Sequence, residues 1–323
     1  MKLIKGILIP LAVITLCLSG YSIISKAEAS YPNHHLLTDL DWLKEHIDDP
    51  QVRIIDMNPK DVYQQGHIRN AVHLDVEQIL TSVEGIEWMM PSVKDLEETM
   101  GKLGINNETI VVIYNDKQGE KPIKGLNALK TRLFLTLEYL GHSKVNIING
   151  GLPAWVAAGG QLTTEVISPP RTQYQAKVRE DIVVGKEYVL AHLNDPNTIL
   201  VDARGPANTF SGIEKTDTVL RGGHIPGAVH VPFHQNPDRK SGKWKSAEDL
   251  LKMYEKAGVN KDKEIIIYDE CLWGGTLNYF TLRLLDYPKI KAYDGSWEEW
   301  ANDAWAPIET SEFLLEWLEW EGS

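Results

Sequence analysis

The feature that most constrains this chain is an internal duplication. Short apolar runs and Gly-His-Ile, Tyr and Trp signatures occur in one order, and then recur in that order roughly 150 residues later. The paired segments are 53–56 with 199–202, 66–73 with 223–230, 109–114 with 264–268, and 149–155 with 294–300. A repeat unit of this length is large enough to be a domain, so the sequence predicts two copies of one domain.

The repeated segments have the pattern of α/β units. Residues 111–114 and 265–268 are near-continuous β-branched runs, which are typical of strands buried on both faces of a parallel sheet. Helix-like spacing of apolar residues follows at 126–140 and at 277–285. Strand, loop, helix and strand in this order predict right-handed βαβ crossovers. The predicted fold class is therefore α/β, with two tandem domains that each contain a parallel sheet flanked by helices.

The first 29 residues have the pattern of an export signal. Lys2 and Lys5 precede an apolar run over 6–24, and Ala27-Glu28-Ala29 supplies a small-x-small cleavage site. Cleavage would leave a mature protein that does not span the membrane and lies outside the cytoplasm, either periplasmic or secreted. The alternative is an uncleaved N-terminal anchor on the outer side of the membrane, because the apolar run approaches the ~20 residues that cross a bilayer.

Prolines 169 and 170 predict a linker between the two copies. The expected organisation is a signal peptide over 1–29, a first domain over 30–167 and a second domain over 172–323. The net charge of −12 argues against a nucleic-acid protein, and it means that an anionic substrate needs a local positive site. We find no sequence signature of a metal site or of a bound cofactor.

The loop after the central strand of the second copy holds the chemically interesting residues. Ligands of parallel sheets bind beyond the carboxyl ends of the strands. The strand ending at Tyr268 is followed by Cys271, Gly274 and Gly275, whereas the loop after Tyr114 contains no cysteine. A thiol among backbone N–H groups at the start of a helix has a lowered pKa and is a better nucleophile. The two copies are therefore predicted to differ in chemistry.

Three motifs carry a resemblance to a known family. They are Asp-x-Arg at 202–204 after a strand, Gly-His-Ile-Pro-Gly-Ala at 223–228, and Tyr-Asp-Gly-Ser-Trp at 293–297. The chain resembles the tandem-domain rhodaneses, which include the thiosulfate and 3-mercaptopyruvate sulfurtransferases, and the resemblance covers nearly all of the predicted mature chain. It implies two rhodanese-like domains, of which the N-terminal one is degenerate.

The resemblance also implies an activity and its residues. Cys271 would take sulfur from a small anionic donor as a persulfide and pass it to a thiol or to cyanide. Arg204 would bind the substrate anion, while Asn58 stands at the corresponding position of the first domain. The remaining residues expected to bind substrate in the loop are Asp269, Trp273, Gly274, Gly275 and Thr276.

The position of the cysteine leaves an alternative open. Counting back from the motif at 293–297 without gaps places Asp269, not Cys271, directly after the strand, where family members have their cysteine. Asp269 and Glu270 are also expected to raise the pKa of a neighbouring thiol. The alternative function is a rhodanese-fold binding module without catalysis. A related phosphatase is excluded because it requires an arginine six residues after the cysteine, where this chain has Leu277.

Two further features are interpreted as structural. Because Gly-His-Ile occurs in both copies, His67 and His224 are expected to fix their loops through hydrogen bonds. The segment 309–319 has apolar residues at helical spacing, which predicts a short amphipathic helix that docks on a domain or on a partner.

Overall fold

The computed structural model describes residues 31–115 and 128–311. The predicted signal peptide, most of the loop that follows Tyr114 and most of the predicted C-terminal amphipathic helix lie outside these residues. Within the two described ranges, no helix is long and apolar enough to cross a membrane.

The first domain contains a four-stranded parallel sheet in the order β3-β1-β6-β7. Its strands are β1 (Val52–Asp56), β2 (His67–Ile68), β3 (Ala71–His73), β4 (Thr81–Val83), β5 (Ile86–Met89), β6 (Ile110–Tyr114), β7 (Val145–Ile147) and β8 (Leu162–Thr163). Its helices are α1 (Leu40–Glu45), α2 (Lys60–Gln65), α3 (Val93–Lys102), α4 (Leu129–Tyr139) and α5 (Gly151–Ala157). Two antiparallel pairs lie outside this sheet: β2 with β8, and the hairpin of β4 with β5.

The second domain repeats this plan around a five-stranded parallel sheet in the order β11-β10-β12-β13-β9. Its strands are β9 (Val183–Val184), β10 (Thr198–Asp202), β11 (Val229–His230), β12 (Glu264–Tyr268) and β13 (Ile290–Tyr293). Its helices are α6 (Lys186–His192), α7 (Ala207–Ser211), α8 (Ala247–Lys256), α9 (Gly275–Leu284) and α10 (Ser296–Asn302). Single turns of 3-10 helix occupy His34–Leu36, Val76–Ile79 and Phe233–Gln235. The predicted fold class is confirmed.

The same local chemistry builds both copies. In the central strands, Asp56 aligns with Tyr114 and Asp202 aligns with Tyr268, so an aspartate ends the neighbouring strand in each sheet. Helices α3 and α8 both begin after a serine whose hydroxyl accepts a hydrogen bond from the third backbone N–H of the helix. The duplicated sequence therefore folds into a duplicated structure.

The two domains share a core through α4 and α9, the helices that follow the two central strands. One continuous hydrophobic cluster contains buried residues of both helices and both sheets. The rings of Phe134 and Phe280 meet edge to face with centroids 4.8 Å apart, and the hydroxyls of Thr131 and Thr276 are 2.8 Å apart. The interface is packed like a domain interior. The contact between Thr131 and Thr276 places the N-terminal end of α4 beside the loop that precedes α9.

Glycine at position 141 is required by the path of the interdomain segment. Gly141 follows α4 with φ +78°, and an added Cβ would lie 2.2 Å from the carbonyl oxygen of Lys177. We expect Gly141→Ala to lower the free energy of unfolding by about 3 kcal/mol or more, through overpacking added to the left-handed backbone strain. Gly159 is the matched control, because its φ is +80° but nothing lies within 4 Å of the added Cβ. Urea unfolding should show a loss of about 1 kcal/mol for Gly159→Ala; equal losses in the two variants would contradict the steric argument.

Candidate functional site

The Asp-x-Arg motif at the end of β10 forms a closed ion pair. Both Asp202 oxygens accept hydrogen bonds from Arg204, at 3.0 Å from Nε and 2.6 Å from Nη2, and Nη2 also donates to the Gly223 carbonyl. The guanidinium lies 4.5 Å from the ring centroid of Trp297, and Arg204 is 4% exposed. Its Nη1 faces Glu270, with 3.8 Å between Nη1 and Oε2. The arginine expected to bind an anion is thus already paired with carboxylates, and its role in substrate binding stays a prediction.

The first domain repeats this arrangement without the cation. Asp56 accepts hydrogen bonds from the backbone and side chain of Asn58, at 2.7 and 2.8 Å. The ring of His73 lies 2.9 Å from the Asn58 carbonyl, as His230 lies 2.8 Å from the Arg204 carbonyl. The first domain therefore has the same hydrogen-bonded aspartate, but Asn58 brings no positive charge to the position that Arg204 holds in the second domain.

The histidines of Gly-His-Ile are structural, as the repeat predicts. His67 is buried, and its two ring nitrogens lie 2.8 Å from the Tyr63 carbonyl and 3.0 Å from the Glu165 carbonyl. His224 lies 2.7 Å from the Phe210 carbonyl and stacks on the Phe210 ring. The other ring nitrogen of His224, Nε2, lies 3.8 Å from Glu309 Oε2. Both rings therefore fix local structure through their ring nitrogens.

Asp269 occupies the centre of that loop. It follows β12 directly, it is 4% exposed, and its carboxylate accepts three backbone hydrogen bonds. Oδ1 accepts from the N–H groups of Cys271 and Trp273 at 3.0 and 3.1 Å, and Oδ2 accepts from Gly275 at 2.8 Å. Burial raises the pKa of this carboxyl although the three N–H groups act in the opposite direction. We call this ring of three amides the amide nest. It is an anion site of the kind predicted from the glycine-rich loop, and the chain's own carboxylate fills it.

The Cys271 N–H belongs to the amide nest, but the nest holds the Asp269 carboxylate and not the Cys271 thiol. Its thiol is free and partly buried. Burial raises the pKa of this thiol well above its ordinary value, and the charges of Asp269, Glu298 and Glu270 raise it further, whereas Arg132 acts in the opposite direction. The expectation of a lowered pKa at the start of the helix is wrong for this thiol, whereas the expected effect of Asp269 and Glu270 is confirmed, with burial as the larger cause. At neutral pH the group is a thiol, so nucleophilic attack requires a base.

This environment predicts an unusual pH dependence for alkylation at Cys271. In the folded chain, the rate with iodoacetamide should keep rising close to tenfold per pH unit through pH 10, because the thiolate fraction is still growing there. An ordinary cysteine, with a pKa of about 8.5, has levelled off by then. The rate is measured by peptide mapping of Cys271 over time, with the urea-unfolded chain as the control. A plateau below pH 9 in the folded chain would contradict the assignment.

Most of the other predicted loop residues have a structural role in this fold. An added Cβ on Gly274 would lie 2.3 Å from the Phe233 ring, so this position needs glycine. The Thr276 hydroxyl faces the domain interface, where it meets Thr131 and donates to the Trp273 carbonyl at 2.8 Å. Among the five loop residues expected to bind substrate, Trp273 is partly exposed and the other four are buried. The substrate contacts expected of these residues stay predictions.

Two parts of the site come from the first domain and were missed in the sequence. The β4–β5 hairpin lies over the loop, with the Trp88 ring edge to face on Trp273 at a centroid distance of 4.8 Å. Arg132 of α4 reaches the loop as well, donating to the Leu272 carbonyl at 3.2 Å. One signal was available: α4 is buried along its length yet contains charged residues, and buried charges require specific partners.

Together these features define a class: an α/β protein of two copies of one domain, with a thiol and an amide nest at the carboxyl edge of the second sheet. Comparison with known proteins gives the family. A family model described as rhodanese-like domain matches residues 39–158 and 186–303. The chain belongs to the rhodanese family, and the resemblance found in the sequence is confirmed.

Curated relatives agree in class. The chain is 36% identical over 296 residues to the sulfur carrier protein TtuD of Thermus thermophilus, covering 87% of this chain and 99% of the relative. It is 31% identical over 281 residues to the 3-mercaptopyruvate sulfurtransferase of Escherichia coli K12, covering 83% and 96% of the two chains. The crystal structure of SseA from Escherichia coli, a 3-mercaptopyruvate sulfotransferase with the rhodanese fold, superposes with a TM-score of 0.70 at 29% identity, covering 81% of this chain and 98% of that chain. By family, the chain is a rhodanese-type sulfurtransferase.

Proposed function

We propose that the chain moves sulfane sulfur from a small donor to a thiophilic acceptor through a persulfide on Cys271. The observation that carries the proposal is the position of Cys271, a free thiol in the strand-to-helix loop at the carboxyl edge of the five-stranded sheet. The spacing from Cys271 to Gly274 and Thr276 follows the loop pattern of the family.

The raised pKa of Cys271 determines where the proton goes. As the sulfur atom attacks the outer sulfur of the donor, the thiol proton must pass to a base, and the carboxylates that act on this thiol are Asp269, Glu298 and Glu270. With thiosulfate the S–S bond breaks and sulfite leaves with the electron pair. With 3-mercaptopyruvate the C–S bond breaks, and the enolate that leaves takes up a proton to become pyruvate. An acceptor thiolate or cyanide then attacks the outer sulfur of the persulfide and releases Cys271.

The charge of the site favours the donor with fewer charges. The negative charges of Asp269, Glu298 and Glu270 all act on the thiol, and each raises its pKa. Arg204 is paired with Asp202. A thiosulfate dianion is repelled by this surrounding more than the 3-mercaptopyruvate monoanion. We infer that 3-mercaptopyruvate is the better donor of the two.

A second candidate function, a binding module without catalysis, is supported by the amide nest. Asp269 holds the position directly after the strand, and its carboxylate uses the N–H groups that would stabilise a sulfur anion. In this reading Cys271 transfers no sulfur and the chain acts as a rhodanese-fold binding module.

The two candidates are separated by intact mass. The protein is incubated with thiosulfate and, separately, with 3-mercaptopyruvate, beside a Cys271→Ser control. A gain of one sulfur, about 32 Da, that is lost on adding cyanide and absent from the control supports the persulfide. No gain with either donor, from folded protein whose thiol can be titrated after unfolding, supports the binding module.

We also propose that the protein acts outside the cytoplasm. The proposal rests on the signal pattern of residues 1–29, with cleavage after Ala29. N-terminal sequencing of the protein from the source cells tests it: a mature chain beginning at Ser30 in the exported fraction is expected, and an intact N-terminus in the cytoplasmic fraction would contradict it.

A further inference from the structure

Arg132 joins three segments of the site across the domain interface. It lies on α4 of the first domain and is 1% exposed. Its Nη1 donates to the Leu272 carbonyl at 3.2 Å, and its Nη2 donates to the Trp88 carbonyl at 3.1 Å and to Asp294 Oδ1 at 3.1 Å. Asp294 in turn accepts from the Met90 N–H at 2.8 Å through its other oxygen. The loop, the hairpin and the turn after β13 therefore meet at one guanidinium.

The two carbonyls that Arg132 binds belong to residues with an unfavourable backbone. Leu272 has φ +49° and Trp88 has φ +66°. Side chains of this size rarely adopt left-handed φ, because Cβ then crowds the following carbonyl oxygen. A conformation of this kind persists only where its surroundings hold it, and charge-assisted hydrogen bonds from a buried cation are strong enough to do so.

The hydrogen bond to Leu272 also determines the amide nest. The Leu272 carbonyl and the Trp273 N–H belong to one planar trans peptide, so the two groups point in opposite directions. The carbonyl points to Arg132, and the N–H points to Asp269 Oδ1. Fixing one end of this peptide unit fixes the other.

We propose that Arg132 is a positioning residue for sulfur transfer. By donating hydrogen bonds from the first domain to the Leu272 and Trp88 carbonyls, it fixes the orientation of the amide nest and the position of the β4–β5 hairpin over the loop. A role of Arg132 in catalysis rests on the proposed function, but its hydrogen bonds to the two carbonyls are the same whichever residue carries sulfur. It gives the degenerate domain a specific contribution to the site of the other domain.

The test uses Arg132→Lys and Arg132→Met in the full chain. Lysine keeps the positive charge but lacks the planar fork that reaches two carbonyls and a carboxylate together. Amide hydrogen exchange at Trp273 and Gly275 should accelerate at least tenfold in both variants, while the amides of 265–267 in β12 keep their protection. The pH profile of Cys271 alkylation should move to higher pH in Arg132→Met and return toward the native profile in Arg132→Lys.

Arg283→Lys is the matched control for Arg132→Lys, because Arg283 pairs with Glu138 in the same interface but away from the loop, and lysine keeps the positive charge beside Glu138. Exchange at Trp273 and Gly275 should be unchanged in this variant. Unchanged exchange at Trp273 in both Arg132 variants, or equal acceleration in Arg283→Lys and Arg132→Lys, would overturn the proposal. These measurements need no sulfur transfer, so a native chain that takes up no sulfur would refute the Cys271 persulfide and leave the Arg132 test intact.

Discussion

Moving the thiol from position 271 to position 269 is expected to increase the rate of sulfur uptake about a hundredfold. In the double variant Asp269→Cys, Cys271→Ser, the sulfur replaces a carboxylate that receives three backbone hydrogen bonds. These donors stabilise a thiolate as they stabilise the carboxylate, and the substitution also removes the Asp269 charge, which raises the pKa of the native thiol. The pKa of the thiol should therefore fall, and the rate of attack on the donor should rise.

The rate is measured as the gain of about 32 Da per chain over time in excess donor, followed by release of the sulfur with cyanide. Glu270→Cys, Cys271→Ser is the matched control, because it places one thiol on the same loop while Asp269 still fills the amide nest. The control should react no faster than the native chain. Equal rates in the two double variants, with unchanged thermal unfolding, would show that the amide nest does not stabilise the sulfur anion.

Removing the carboxylate of Glu138 is expected to destabilise the fold far more than removing an exposed carboxylate does. Glu138 of α4 is 7% exposed and binds α9 through Arg283, with 2.6 Å between Oε1 and Nη2, and through the Tyr279 hydroxyl at 2.8 Å. Glu138→Ala leaves a largely buried guanidinium and a buried hydroxyl without this partner. We expect the free energy of unfolding to fall by about 3 kcal/mol, as when one member of a buried ion pair is removed.

Urea unfolding followed by tryptophan fluorescence measures this loss. Glu108→Ala provides the comparison, because Glu108 pairs with Lys144 at 2.6 Å while both side chains are largely exposed. Exposed pairs of this kind contribute about 0.5 kcal/mol. If the two variants lose the same stability, the Glu138 pair is not a main contact between the domains.

The duplication made most of the fold predictable. Near-continuous apolar runs at 111–114 and 265–268 identified the two central strands, since parallel strands buried on both faces cannot alternate with polar residues. The domain boundaries at 167 and 172 stay a prediction. The β4–β5 hairpin was not predicted, because its exposed strands carry no continuous apolar run.

The sequence predicts those parts of the site whose residues lie close together along the chain. The loop, its amide nest and the alternative position of Asp269 follow from residues 268–276 and from the distance to the motif at 293–297. The ion pair of Arg204 with Asp202 is local in the same way, because the two residues belong to one motif. Arg132 could not be found in this way, because its contact with Leu272 depends on how the two domains pack and not on any spacing along the chain.

The packing of α4 on α9 has a consequence for the expression of either domain alone. Thr131 and Thr276 stand equally far before Trp155 and Trp300, and their hydroxyls touch each other. When an element meets its own counterpart in this way, the contact has the geometry of a twofold homodimer. Each domain therefore covers the apolar helix of the other, as the two subunits of a twofold dimer do. We expect that a half expressed alone would expose this helix to water and aggregate, however little chemistry the other half supplies.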